Sequence, residues 1–226
     1  MNILDIGALA QSEALANGSL TARALMEATL ERIDAVNGTV NAIVALRPRA
    51  ELLAEADRAD ATPRVGWLHG IPIAIKDLSD AEGLPTAKGS PLFAGTIAQK
   101  DSVFVARIRA AGAIIIGKTN TPEFGLGSHT FNPVYGPTRN PYDHTRSAGG
   151  SSGGAAAALA TGMLSIADGS DMMGSLRNPA GWNNVYGMRP SWGTVPAEPE
   201  GDMFLHQLSM AGPMARCPRD LAALLD

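Results

Sequence analysis

Residues 149–159 read Gly149-Gly150-Ser151-Ser152-Gly153-Gly154-Ala155-Ala156-Ala157-Ala158-Leu159, and the architecture turns on how this run is understood. Its glycines allow tight, unusual backbone angles around two adjacent hydroxyls. An alanine-rich helix over 153–162 starts at once. A flexible linker would not run directly into so apolar a helix. A helix start presents unpaired amides and the positive end of its dipole, which suits a developing anion. The run therefore reads as a loop with a chemical task, seated on a closely packed helix.

Working outward, Gly70-Ile71-Pro72-Ile73-Ala74-Ile75-Lys76 is an apolar strand with a lysine at its end. Residues 113–116 form a fully apolar run, typical of a strand buried on both faces. Residues 102–111 are amphipathic and helical, and 165–168 suit a short strand. Alternating strands and helices imply an α/β sheet core. Upstream, Thr21 can cap a helix whose Leu25, Ala28, Leu30 and Ile33 follow a 3.6-residue period, ending at Asn37-Gly38. Residues 41–46 could be a strand, and 49–59 return to helix before a break at Ala61-Thr62-Pro63. Residues 1–60 are thus expected to form a helical layer on a core spanning 61–226.

Composition limits the function classes. The chain has 226 residues, 45% hydrophobic, with a formal charge of −4, which suits one compact domain or a domain with a small appendage. No basic run appears, so nucleic acid is not an expected partner. A lone Cys217 precludes an internal disulfide and fits a reducing, cytoplasmic setting. The N-terminus lacks the charged and apolar segments of a signal peptide. The longest apolar run, 110–117, is too short to cross a bilayer, so no membrane association is expected. His69, His129, His144 and His206 are scattered without metal-ligand spacing, so neither metal nor cofactor is expected.

Two short motifs point elsewhere. Gly112-Ala113-Ile114-Ile115-Ile116-Gly117-Lys118-Thr119 fits the P-loop expression, but its middle residues favour a strand where a P-loop needs a phosphate-cradling turn. Gly150-Ser151-Ser152-Gly153-Gly154 fits the nucleophile elbow, yet the preceding Asp143-His144-Thr145-Arg146-Ser147-Ala148 is polar and turn-like. Only His206 lies downstream, so a histidine-based triad on Ser152 stays open as a lesser reading.

Several ordered segments together resemble the amidase-signature family. Gly70 to Asp77 is similar to its lysine strand, and Gly117-Lys118-Thr119-Asn120-Thr121-Pro122-Glu123-Phe124 to its connector. Asn140-Pro141-Tyr142-Asp143 leading to Gly149–Gly154 resembles its signature loop. Asp168-Gly169-Ser170-Asp171-Met172-Met173-Gly174-Ser175-Leu176-Arg177-Asn178-Pro179 follows, then residues 186–191 and 212–216. Seventy-five positions separate Lys76 from Ser151, and 24 separate Ser151 from Ser175, as in that family. The resemblance runs from about residue 8 to the last. It is nearest to a subgroup resembling 6-aminohexanoate cyclic-dimer hydrolase and related amidases.

The resemblance implies an α/β amidase-signature fold, a mixed sheet covered by helices, and hydrolysis of carboxamide bonds, with ester or carbamate bonds as further candidates. It makes Ser175 the nucleophile that forms an acyl-enzyme, Ser151 the proton shuttle after a cis peptide bond, and Lys76 the base. A lysine serves as base only when uncharged, and burial favours that form. Backbone amides of Met172, Met173, Gly174 and Ser175 would hold the oxyanion. Ser152, Asp171 and Arg177 would orient Ser151 and the loops. The methionine pair departs from the family's usual Gly-Gly-Ser and hints at an unusual acyl pocket. Family members are about twice this length, so the C-terminal half of the fold is expected from elsewhere, as a complementary half or second chain. An open sheet edge would also favour homo-oligomers. The expected partner of the site is a small-molecule amide. Alternatives are the amide-cleaving component of a tRNA-dependent amidotransferase and a non-catalytic interaction subunit or fragment.

Overall fold

The apolar alternation of the central strands sets the layers. The structure is a computed structural model, described for residues 2–198 and 207–226. Strand β2 (Pro72–Lys76) runs parallel to β3 (Ile114–Thr119), and β1 (Ile43–Val44) adds antiparallel to β3. Ala74, Ile114 and Ile116 point to one face, whereas Ile73, Ile75 and Ile115 point to the other. Both faces are buried, as the uninterrupted apolar runs require.

On the first face lie α2 (Ala22–Val40), α3 (Arg49–Ala61) and α5 (Gly153–Ala160), whose Met26, Leu30, Leu52 and Leu159 fill one core. On the second, α4 (Val103–Ala110), α7 (Pro218–Leu225) and the start of α1 (Ala8–Ala16) cover Ile71, Ile73 and Ile75. A second sheet is antiparallel, with order β4-β6-β5: β4 (Ile166–Asp171), β6 (Met210–Ala215) and β5 (Tyr186–Gly187). Strand β4 lies beside β2, and the main-chain N of Lys76 donates to Asp168 Oδ1 at 2.9 Å across the seam. Among the described residues no helix is long and apolar enough to cross a membrane.

Element ends differ from expectation where side chains intervene. Thr21 does cap α2, accepting from Ala24 N at 3.0 Å. The helix, however, passes through Gly38 and stops at Asn41, which takes a left-handed conformation at φ 53°. Asn37 explains the extension: its Oδ1 accepts from Ala42 N and Ile43 N, tying the last turn to β1. Helix α6 (Arg177–Trp182) contains Pro179 and Gly181, which propensity alone disfavours. It forms because Asp171 Oδ2 accepts from Leu176 N at 3.0 Å and Arg177 N at 3.4 Å.

The P-loop expression is a strand here. Lys118 is fully buried on β3 and donates to Ser79 O at 2.5 Å and Thr86 Oγ1 at 3.3 Å, with Asp77 Oδ1 4.0 Å away. Asp77 in turn accepts from Ala87 N and Gly89 N, so the pair fastens the loop that follows β2.

Two glycines give opposite expectations. A Cβ at Gly154 would collide with the main-chain N of Asn120, whereas one at Gly38 meets nothing within 4 Å. Gly154→Ala is expected to lower unfolding free energy by about 1–3 kcal/mol through overpacking. Gly38→Ala, inside α2, is expected to raise it by about 0.5–1 kcal/mol. Urea unfolding followed by circular dichroism checks both signs; equal effects would contradict this packing.

Candidate active site

Lys76 ends β2 with its side chain 1% exposed. Its Nζ lies 2.7 Å from Ser151 Oγ, 2.9 Å from Ser152 Oγ and 2.9 Å from Ser170 Oγ. Ser151 and Ser152 come from the glycine loop before α5, and Ser170 from β4. Ser152 directs its hydroxyl hydrogen to Ser170 O at 3.3 Å, so toward Lys76 it can only accept. Burial pulls the amine from an ordinary 10.5 down to about 7, against the opposing charges of Asp168 and Asp171.

The glycine loop is held on three sides. The Gly150–Ser151 peptide bond is cis. Gly153 N donates to Thr130 Oγ1 at 3.1 Å, and Ser152 N donates to Ser175 O at 3.1 Å. Asn183, buried beyond α6, donates through Nδ2 to Ala148 O and Pro179 O, each at 2.7 Å. No motif or spacing in the sequence marks that clamp.

Ser175 sits half-buried in the turn between β4 and α6. Among the described residues its hydroxyl makes no hydrogen bond, while its carbonyl is tied to the glycine loop. Gly174 before it has φ 118°, a conformation that side chains resist. Of the four amides expected around an oxyanion, Gly174 N is already donated to Asp171 Oδ1 at 2.8 Å. Gly174 N is thus the one of those four amides that bonds the Asp171 carboxylate.

Asp171 organises this turn. Its side chain is fully buried and bonds Arg177 Nε and Nη2 at 3.0 Å each. Arg189 Nη1 adds a bond at 3.1 Å and also donates to the Asp171 and Met172 carbonyls. Burial alone would raise the Asp171 carboxyl, but the Arg177 guanidinium, the Gly174 and Leu176 amides and the Arg189 guanidinium together hold it well below the usual carboxylate range. The family resemblance places Arg177 and Asp171 in this network. It does not point to Arg189, Ser170 or Asp168, because isolated polar residues in a loop or strand carry no spacing signal.

A Cβ on Gly125 would lie 3.6 Å from Ser151 Oγ. Phe124, Leu126 and Phe131 line a neighbouring cavity of about 340 Å³ and are substantially exposed, as are Met172 and Met173. His129 stacks on Trp182 at 5.6 Å, and His69 bonds Ala59 O, so both have non-catalytic partners. His206, the partner a triad on Ser152 would need, lies outside the described residues. Ser152 itself is engaged with Lys76 and the main chain of Ser170. Among the described residues no group of three or more His, Cys, Asp or Glu could hold a metal ion.

Comparison with known proteins gives the family. The amidase family model matches residues 24–226. An acylamidase of Rhodococcus erythropolis is 40% identical over 231 aligned positions, covering 100% of this chain and 48% of that protein. A glutamyl-tRNA(Gln) amidotransferase component of Sulfolobus acidocaldarius is 39% identical, covering 95% of this chain and 44% of the relative. The solved structure of 6-aminohexanoate cyclic dimer hydrolase with its substrate superposes with a TM-score of 0.90 at 33% identity, over 100% of this chain and 46% of that one. The chain therefore spans about half the length of the curated relatives it matches. From the lysine strand through the glycine loop to the Asp171 turn, sequence, fold and relatives converge: this chain belongs to the amidase-signature family.

Proposed function

We propose that the chain carries the reacting groups of an amide hydrolase, with Ser175 as nucleophile, Ser151 as proton relay and Lys76 as base. The observation that carries this reading is the buried Lys76 amine, about 7 in pKa, 2.7 Å from the Ser151 hydroxyl. An uncharged amine has two hydrogens and one lone pair. Ser152 and Ser170 accept the hydrogens, which leaves the lone pair for the Ser151 hydrogen.

The proton path follows. Ser175 Oγ attacks the amide carbon as its proton passes to Ser151, whose own proton moves to Lys76. The carbonyl oxygen gathers negative charge against main-chain amides of the 172–175 turn. Such donors act strongly because they are fixed before the charge develops, and losing one typically costs about 100- to 1000-fold. On collapse the carbon–nitrogen bond breaks. The leaving amine takes the Ser151 proton, which the Lys76 ammonium replaces. Water then cleaves the acyl-Ser175 ester by the same path in reverse.

The substrate is a small carboxamide with an apolar acyl side, a reading supported by Phe124, Leu126, Met172 and Met173 around the centre. A complementary half, from the rest of a longer chain or a second chain, completes the pocket. The 39% identity to an amidotransferase component favours one second reading, cleavage of glutamine amide within a larger assembly. Turnover of glutamine in preference to aryl or alkyl amides would select it.

The relay has two direct checks. A fluorophosphonate probe is expected to label Ser175, and neither Ser175→Ala nor Lys76→Met should be labelled at comparable rate; Lys76→Met should lose about 100- to 10,000-fold. Mass spectrometry of the adduct decides, and labelling that persists in folded Lys76→Met sinks the base assignment. The second check is pH. Only the uncharged amine accepts a proton, so reactivity is expected to fall tenfold per pH unit below about 7 and to level off above it. A profile flat through that range contradicts the proposal.

A further inference from the structure

Asp168 is the buried acid that the relay does not use. It sits on β4, 4% exposed, opposite Pro213 of β6. Its Oδ1 accepts the main-chain N–H of Lys76 at 2.9 Å, and among the described residues Oδ2 has no hydrogen-bond partner. Strand β2 pairs with β3 on its other side, where Asp77 N donates to Thr119 O. The seam between the two sheets at Lys76 is thus closed by a carboxylate. A buried carboxylate with one oxygen unpartnered is costly to keep in a fold unless nearby cations compensate it.

Those cations are present. Lys76 of β2 and Lys118 of β3, both fully buried, supply opposing charge to it. Asp171 adds to the field at Lys76, while Asp77 and Asp80 add to that at Lys118. Asp168 acts on both lysines. Arg107 of α4 and Asp226 line the same cavity of about 280 Å³ that Asp168 borders.

We propose that Asp168 is a positioning residue for Lys76: its carboxylate pins the end of β2 through the main-chain N–H, and its unpartnered oxygen supplies a negative field that holds the proton on the amine. The relay reading gives this role its catalytic meaning, but the geometry does not depend on it. Burial pushes the Asp168 carboxyl up to about 6, so its charge changes just below the range in which Lys76 exchanges its proton. As the carboxyl protonates on acidification, the amine loses part of its hold on the proton.

The test uses lysine labelled with carbon-13 at the ε position and follows Lys76 by NMR through a pH titration. In folded Asp168→Asn the Lys76 proton affinity is expected to drop about tenfold, the effect of removing one close opposite charge. An unmoved midpoint overturns the proposal. A merely structural role would weaken folding and leave the midpoint alone. The unsubstituted chain provides a second readout should the variant not fold. The Lys76 signal should show an inflection at the midpoint of the Asp168 carboxyl, followed with labelled aspartate, and its absence likewise overturns the role. Fluorophosphonate labelling of Ser175 reads the relay separately: no labelling beside a Lys76 midpoint that follows Asp168 refutes the relay and supports the positioning role.

Discussion

The centre turns on one buried amine, Lys76, whose charge desolvation disfavours. Moving Lys76 from 10.5 to about 7 corresponds to about 5 kcal/mol of lost proton affinity. Desolvation supplies that loss, and Asp168 and Asp171 oppose it. Without either acid the amine would be a weaker base, and without burial it would be permanently charged. Three serine hydroxyls take over the hydrogen bonding that water would otherwise provide. An amine with fewer partners in that seat would carry the cost of an unsatisfied buried polar group.

The three hydroxyls arrive from two separate segments, so the fold has to bring those segments into fixed register. The glycine loop docks through Gly154, where the main chain of Asn120 leaves no room for a side chain. The β4 segment docks through its ladder with β6. Asp171 then shapes the turn beyond β4 by receiving two guanidinium groups and three amides. Asn183 ties the turn's helix back to the glycine loop. One set of side-chain to main-chain bonds thus links the Ser175 turn to the Ser151 loop, and a shift in either would be felt at Lys76.

Much of this could be read in advance, for identifiable reasons. Strands β2 and β3 are uninterrupted apolar runs, and α5 is alanine-rich, so their types followed from pattern. Lys76, Ser151 and Ser175 followed from ordered motifs and spacing. In the structure Lys76 Nζ bonds the Ser151 and Ser152 hydroxyls, and the Ser175 carbonyl is tied to the same loop. What escaped was whatever tertiary bonds decide. Strand β6, which holds Gly212 and Pro213, lies between β4 and β5. Helix α6 depends on a carboxylate six residues upstream of its first residue. The extension of α2 through Gly38 depends on Asn37 reaching β1. Ser170, Asp168 and Arg189 acquire meaning only when strands distant in sequence lie side by side.

The methionines beside Ser175 hold a different position in this set of constraints. Met173 is 85% exposed, and its flank of the turn is held by Asp171 and Arg189 through main-chain and carboxylate bonds rather than by the methionine side chains. Exchanging these two residues therefore disturbs little of the folded framework. Selection can recut the surface beside Ser175 at small thermodynamic penalty, so descendants of one scaffold can diverge there while the buried interior around Lys76 stays fixed.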